Sequence, residues 1–250
     1  MGLRTYLRQF LYLQKFKKKI KNLNFSGNNV LITGGNSGIG FELTKKLLYL
    51  KNNVVGTFRE KSDNLEKINN PNLKLIRCDL SKVNEYKNLE ENLINEKIEI
   101  VFNCAGRLGP TNQEIENFDF ETFNEILMIN SLSTLKISQI LINQKHPLKL
   151  IVNISSDGGS IKLNKDGNFY IYRISKTTLN SITKNLSLIL SKKYNVNVLA
   201  IDPGNVKSNM NPGGIIETKD CVEMIINIIS KNQDNLNGKF VNLLNKEIPW

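Results

Sequence analysis

The chain predicts one doubly wound α/β domain, a seven-stranded parallel sheet with helices on both faces. Two observations lead there. From Asn29 onward, short apolar runs alternate with longer stretches of helical period, which is the pattern of repeated βαβ units. No long Gly/Ser/Pro linker interrupts that alternation. At 250 residues, with 40% hydrophobic and 23% charged residues, the chain is long enough to bury a substantial core as one globular unit.

The first element in the chain stands apart from this pattern. Leu3, Leu7, Phe10, Leu13, Phe16, Ile20 and Leu23 recur every three or four residues, with Arg4, Arg8, Lys15, Lys18 and Lys19 mostly between them, a basic amphipathic helix pattern. Charge interrupts it too often for a bilayer span. Three readings stay open: a helix on a membrane surface, a mitochondrial presequence, or a helix packed on the domain. Residues 1–27 are therefore read as an N-terminal extension and 28–250 as the domain. Seven Lys/Arg residues precede the first acid, Glu42, which leaves +4 of the net +11 for the rest. The basicity thus belongs substantially to the leader, and no nucleic-acid-reading module is present, so no nucleic-acid partner is expected.

Seven strands are expected at 29–33, 53–57, 73–78, 98–102, 149–155, 196–201 and 240–244, with helices between most of them. Near-continuous apolar runs of this length suit parallel strands buried on both faces. Cys78, Cys104 and Cys221 are odd in number, far apart and in no C-x-x-C pair. They read as reduced thiols in a reducing, cytoplasmic compartment, with no structural zinc site. The single histidine, His146, precedes Pro147 and is expected in a turn after a helix, which argues against a Ser-His-Asp triad or a His-bound metal.

The first strand runs into Thr33-Gly34-Gly35-Asn36-Ser37-Gly38-Ile39-Gly40, followed by an apolar helix through Leu43, Leu47 and Leu50. Glycines there let the backbone turn tightly and bring helix N-terminal N–H groups against a pyrophosphate, as in Rossmann-type folds. The Lys-Ser/Thr of a P-loop is missing. At the end of the second strand, where an NAD site would carry a carboxylate, the chain reads Thr57-Phe58-Arg59. A guanidinium suits a ribose 2′-phosphate, which favours NADP(H) over NAD(H). The alternative is an exposed Arg59 with Glu60 making an NAD contact.

Tyr172 and Lys176 are four residues apart, so on a helix they share a face. An ammonium there is expected to pull the phenol's pKa down from near 10 toward neutrality. Together with the 34–40 loop and the predicted topology, this pair resembles the short-chain dehydrogenase/reductases, over about Asn28 to Trp250. Asp79-Leu80 resembles the family's adenine-contacting pair. Asn103-Cys104-Ala105-Gly106 resembles its Asn-Asn-Ala-Gly motif, with Cys104 replacing the second Asn and weakening a local structural hydrogen bond. Asp202-Pro203-Gly204-Asn205-Val206-Lys207-Ser208 resembles the stretch that passes the nicotinamide. The resemblance thus implies cofactor contacts at Gly34, Asn36, Ser37, Gly38, Ile39, Gly40, Arg59, Asp79, Leu80, Asn103, Ala105, Gly106, Tyr172, Lys176, Pro203, Gly204, Val206 and Ser208.

It also implies a catalytic set of Asn130, Ser156, Tyr172 and Lys176. Asn130 would hold a helix carbonyl and water in a proton relay, and Ser156 would orient the substrate, with Ser155 as the competing serine. Tyr172 would act as acid/base, and Lys176 would lower its pKa and bind the nicotinamide ribose. Leu179, Ile182, Leu186 and Ile189 are expected to bury the other side of the same helix. Tyr172-Arg173-Ile174-Ser175-Lys176, Leu179-Asn180 and the ending through Ile248-Pro249-Trp250 are similar to the C-factor and sniffer-type carbonyl reductases. The implied activity is NADP(H)-dependent interconversion of a carbonyl and an alcohol on a small molecule, by a homodimer or homotetramer. A non-catalytic dinucleotide-binding sensor or docking protein is the alternative from another class, and a membrane-associated lipid or retinoid reductase is a second. Residues 158–168 are expected to bulge as a loop beside the pocket, Tyr170 to serve loop packing, and Asn211-Pro212-Gly213-Gly214 to form a short bent lid.

Overall fold

The computed structural model describes residues 25–60, 65, 67–111, 113, 115–232 and 235–250. The basic amphipathic leader, residues 1–24, lies outside the described residues. Phe25 is buried in the core, and its carbonyl accepts from Asn52 Nδ2 at 2.8 Å. The folded body therefore takes in the last residues assigned to the extension.

Seven strands form one parallel sheet: β1 (Asn29–Thr33), β2 (Asn53–Phe58), β3 (Leu73–Arg77), β4 (Ile100–Asn103), β5 (Leu150–Ile154), β6 (Asn197–Asp202) and β7 (Phe240–Asn242). Each boundary falls within two residues of its expected place. The spatial order is β3-β2-β1-β4-β5-β6-β7, so the winding reverses between β1 and β4. Val30 sits in register with Val54 on one side and Ile100 on the other. In open sheets of this kind, ligands lie outside the carboxyl ends of the strands at that reversal.

Six helices cover the sheet among the described residues: α1 (Gly38–Tyr49), α2 (Tyr86–Leu93), α3 (Phe120–Leu127), α4 (Ser133–Asn143), α5 (Tyr170–Tyr194) and α6 (Thr218–Asn232). Alternation along β1 divides the core in two. Val30 and Ile32 meet Leu43 and Leu47 of α1 and Val222, Ile225 and Ile229 of α6. Leu31 faces the other way, toward Leu89 and Leu93 of α2, Ile137 and Leu141 of α4, and Ile182 and Leu186 of α5. By length and composition the run Phe120–Asn143 could cross a bilayer, but 56% of its apolar window is buried inside the fold, as a core helix would be.

One expected core position moves. Leu179, Ile182 and Leu186 are buried, but Ile189 is 57% exposed and Leu190 takes the inner place. The buried stripe advances by three, four and four residues, and a helix of 3.6 residues per turn puts Ile189 past its edge.

Candidate active site

A cavity of about 770 Å³ opens at the carboxyl ends of the strands, where the sheet order reverses. Its cofactor-side wall begins with the loop between β1 and α1. Gly34 and Gly38 have φ of 67° and 52°, conformations that side chains disfavour. A Cβ on Gly34 would sit 3.0 Å from Ala105 Cα, and one on Gly40 would overlap the Gly34 carbonyl. Ser37 caps α1 in extended conformation with no side-chain hydrogen bond. The first N–H groups of α1 are therefore left to a ligand or to solvent, and the helix dipole favours an anion there.

The opposite end of this wall is built by the ends of β2 and β3. Asn36 Nδ2 donates to the Glu60 carbonyl at 2.9 Å, tying the loop to the end of β2. Arg59 is about half exposed and lies 3.5 Å from the Glu60 carboxylate, so both groups from the two cofactor readings occupy the same rim. Burial alone would raise the Asp79 pKa, but two hydrogen bonds from Ser81, with Lys82 and Arg59 nearby, hold it below the usual carboxylate range.

Every residue expected to touch the cofactor lines this cavity except Asn103. Asn103 Nδ2 donates instead to Asn153 Oδ1 at 2.8 Å, and Asn153 Nδ2 donates to Thr183 Oγ1 at 2.8 Å. That chain runs from β4 through β5 to α5, and leaves Asn103 Oδ1 buried with no hydrogen-bond partner among the described residues. Position 104 loses nothing visible. Thr33 Oγ1 accepts from the backbone N–H groups of Cys104 and Ala105 at 3.0 and 3.1 Å, and holds the turn without a second asparagine.

Tyr172, Lys176 and Ser156 line the other end. Ser156 caps the short turn Asp157–Gly159, its Oγ accepting from Gly158 N at 3.0 Å and donating to Asp157 Oδ1 at 3.3 Å. Ser155 Oγ donates to Asn180 Oδ1 at 2.7 Å within the interior. The geometry thus leaves Ser156 as the serine available to a substrate. Asn130 does not line the cavity. It lies in a π-helical turn, Met128–Leu132, and its side chain bonds both backbone groups of Arg107 and the Ser175 hydroxyl. Ser175 Oγ in turn donates to the Tyr172 carbonyl at 2.7 Å, so Asn130 connects to the tyrosine through the helix backbone.

The expected effect of Lys176 on Tyr172 is absent. Burial pushes the phenol up to about 12, with Asp202 and Asp157 adding to the rise and the Ser156 hydroxyl opposing it. The Lys176 ammonium instead donates to the Ile154 carbonyl at 2.7 Å and stands 5.7 Å from the Tyr172 ring centroid. Its own pKa is brought down to about 8 by burial. With the ammonium discharging near 8, it is already neutral where the phenol would ionise, and desolvation wins.

Three features escaped the sequence reading. The Ser131 and Ser175 hydroxyls knit the π turn to α5. Asp202 is buried behind Asp157, and burial followed by that like charge pushes its carboxyl up to about 6. The Ile154 carbonyl holds Lys176, and a backbone partner leaves no trace in side-chain identity. The other segments singled out in the sequence lie as follows. Residues 158–168 form turns against Pro249 and Trp250, and Tyr170 stacks on Phe118 at 5.6 Å. The 208–214 segment is a pair of tight turns pinned by Lys207 N to the Ile216 carbonyl. His146 accepts from Ile98 N at 2.9 Å and is structural, and the three cysteines are free. Among the described residues no cluster of ligands suits a metal ion.

The sheet order, the glycine cradle at its reversal point and the seven-stranded winding define a Rossmann-type fold. Residues 28–214 match the family model described as short chain dehydrogenase, and the chain belongs to that family of oxidoreductases. Among characterised relatives, the C-signal protein of Myxococcus xanthus is 26% identical over 162 residues, 64% of this chain and 96% of that protein. A 3-oxoacyl-acyl-carrier-protein reductase of Rickettsia conorii is 30% identical over 193 residues, 75% and 76% of the two chains. The carbonyl reductase Sniffer of D. melanogaster superposes with TM-score 0.80 and 28% identity, over 90% of this chain and all of that one. The NADPH-bound carbonyl reductase from chicken fatty liver gives 0.78 and 26%, with the same coverage.

Proposed function

We propose that the protein reduces an aldehyde or ketone to an alcohol with NADPH. The observation that carries this is the placement of Tyr172 and Ser156 in one cavity with the 34–40 cradle. The cradle fits a dinucleotide: its glycines leave room for a pyrophosphate, and the half-exposed Arg59 at the end of β2 offers a guanidinium to a 2′-phosphate. A nicotinamide bound there supplies the hydride.

The side chains account for the rest. Ser156, fixed at the cap of its turn, donates a hydrogen bond that polarises the carbonyl oxygen. Tyr172, held neutral by burial, has the proton to give to that oxygen as it gains negative charge. A phenol this hard to ionise suits proton donation in reduction better than proton abstraction in oxidation. Lys176, anchored on the Ile154 carbonyl beside the Gly106 backbone, supplies the cation that would meet the nicotinamide ribose. Asn130 shapes the π turn beside Tyr172 and orders the path by which the proton is replaced.

The likeness to carbonyl reductases of known structure supports the substrate class. The test is NADPH oxidation with a panel of aldehydes and ketones. Tyr172→Phe should lose about 100- to 10,000-fold in rate while binding NADPH as the wild type does. Undiminished reduction by that variant would remove Tyr172 from the chemistry. Tight NADPH binding with no turnover on any carbonyl by the wild type would instead favour a sensor or docking role.

A further inference from the structure

Ser156 does its work only if its hydroxyl is held at a fixed distance from Tyr172, yet one stands at the cap of the turn after β5 and the other on α5. Among the α5 side chains that cross this gap, one holds the chain on both sides of Ser156. Asn180, two turns beyond Tyr172 on α5, is 3% exposed. Its Oδ1 accepts from Ser155 Oγ at 2.7 Å, and its Nδ2 donates to the Gly159 carbonyl at 3.1 Å. It therefore grips the chain on both sides of Ser156, at the residue before and the third residue after. Thr177 Oγ1 donates to the same Gly159 carbonyl at 3.0 Å.

The approach is close enough to be specific. A Cβ on Gly159 would lie 2.8 Å from Asn180 Nδ2 and 2.9 Å from the Lys176 carbonyl oxygen. Glycine at 159 thus lets the Ser156 turn rest directly on the helix that carries Tyr172 and Lys176. Buried amides with both ends satisfied rigidify what they join, and a leucine or alanine at 180 would take the acceptor from the Ser155 hydroxyl and leave the Gly159 carbonyl to Thr177 alone.

We propose that Asn180 is a positioning residue that sets the register of Ser156 against Tyr172, so that the serine and the phenol converge on one carbonyl oxygen. This rests on the reduction proposed above. Asn180 touches no substrate and acts through Ser156. The arrangement also explains the neighbouring pair of serines: Ser155 is the anchor and Ser156 the working group.

The experiment is a double-variant cycle of Asn180→Ala and Ser156→Ala, with kcat for carbonyl reduction, NADPH affinity and amide hydrogen exchange over residues 156–160 read in each protein. Asn180→Ala should lower kcat by about 10- to 100-fold, as misplacement of a reacting group does, with NADPH affinity unchanged. In the Ser156→Ala background it should subtract almost nothing further, because the residue through which it acts is gone. Exchange over 156–160 should quicken by about tenfold. Losses that multiply in the double variant, or exchange that stays as slow as in the wild type, would overturn the proposal. Ser155→Ala removes one half of the clamp with a smaller change in shape, and should reproduce the faster exchange if Asn180→Ala does not fold. Should the wild type reduce no carbonyl while exchange still quickens, the reduction falls and the clamp stands.

Discussion

Tyr172 and Lys176 act in this structure under opposite pressures from one cause. Burial makes the phenol hard to ionise and the ammonium easy to discharge, pushing one up to about 12 and the other down to about 8. The four-residue spacing correctly put them on one helix face, but it carried no information on where the ammonium would point. Only the fold brings the Ile154 carbonyl within 2.7 Å of it and desolvates both groups. A pH dependence follows. Below about pH 8 Lys176 is charged and Tyr172 is protonated, the pair that reduction needs. As pH rises through about 8 the lysine loses its proton while the tyrosine keeps its own. The rate of reduction should therefore fall along a single-proton limb near pH 8, well before any tyrosine ionisation. A profile flat to pH 10 would mean that the Lys176 charge plays no part.

At the scale of elements, α1 and α5 hold the two halves of the site, and they were legible to different degrees. The loop before α1 could be read because glycine at 34, 38 and 40 answers to backbone geometry: two positive φ angles and a close approach of main chain. Gly40→Ala should drive a methyl into the Gly34 carbonyl. NADPH binding should weaken by at least about tenfold, with several degrees lost from the melting temperature, as backbone overpacking predicts. Titration of the variant by NADPH fluorescence checks it. For α5, the apolar stripe was read nearly to its end and missed only the turn at Ile189 and Leu190, where a drift of one residue decides which faces inward. Asn103 was legible only in part, for a different reason. Its motif marks a position in the chain, but whether its amide meets a cofactor or Asn153 depends on β5, 50 residues away. The Asn180 clamp was hidden likewise, since each partner is an ordinary polar residue until β5 and α5 are packed together.

The whole molecule places these elements by one feature, the reversal of strand order between β1 and β4. That reversal opens a cleft beyond the sheet and leaves Arg59 at one end of the cavity and Tyr172 at the other. The number of strands and their places along the chain were evident from the alternation of apolar runs, because parallel strands buried on both faces leave near-continuous hydrophobic segments, but their order across the sheet was not. Arg59 tests the cofactor end of this span. Arg59→Ala should weaken NADPH by about 10- to 100-fold, the loss expected for a charge-assisted hydrogen bond, and leave NADH nearly unchanged. Equal losses for both cofactors would return the rim to Glu60. The carbonyl end is tested most directly by isotope transfer. With NADPH deuterated at the ring carbon that gives up hydride, and an aldehyde or ketone found to be a substrate, the alcohol should carry the deuterium on its carbinol carbon, and Tyr172→Phe should form that alcohol far more slowly. An alcohol that takes its carbon-bound hydrogen from solvent, or a Tyr172→Phe variant that transfers deuterium at the wild-type rate, would contradict the account.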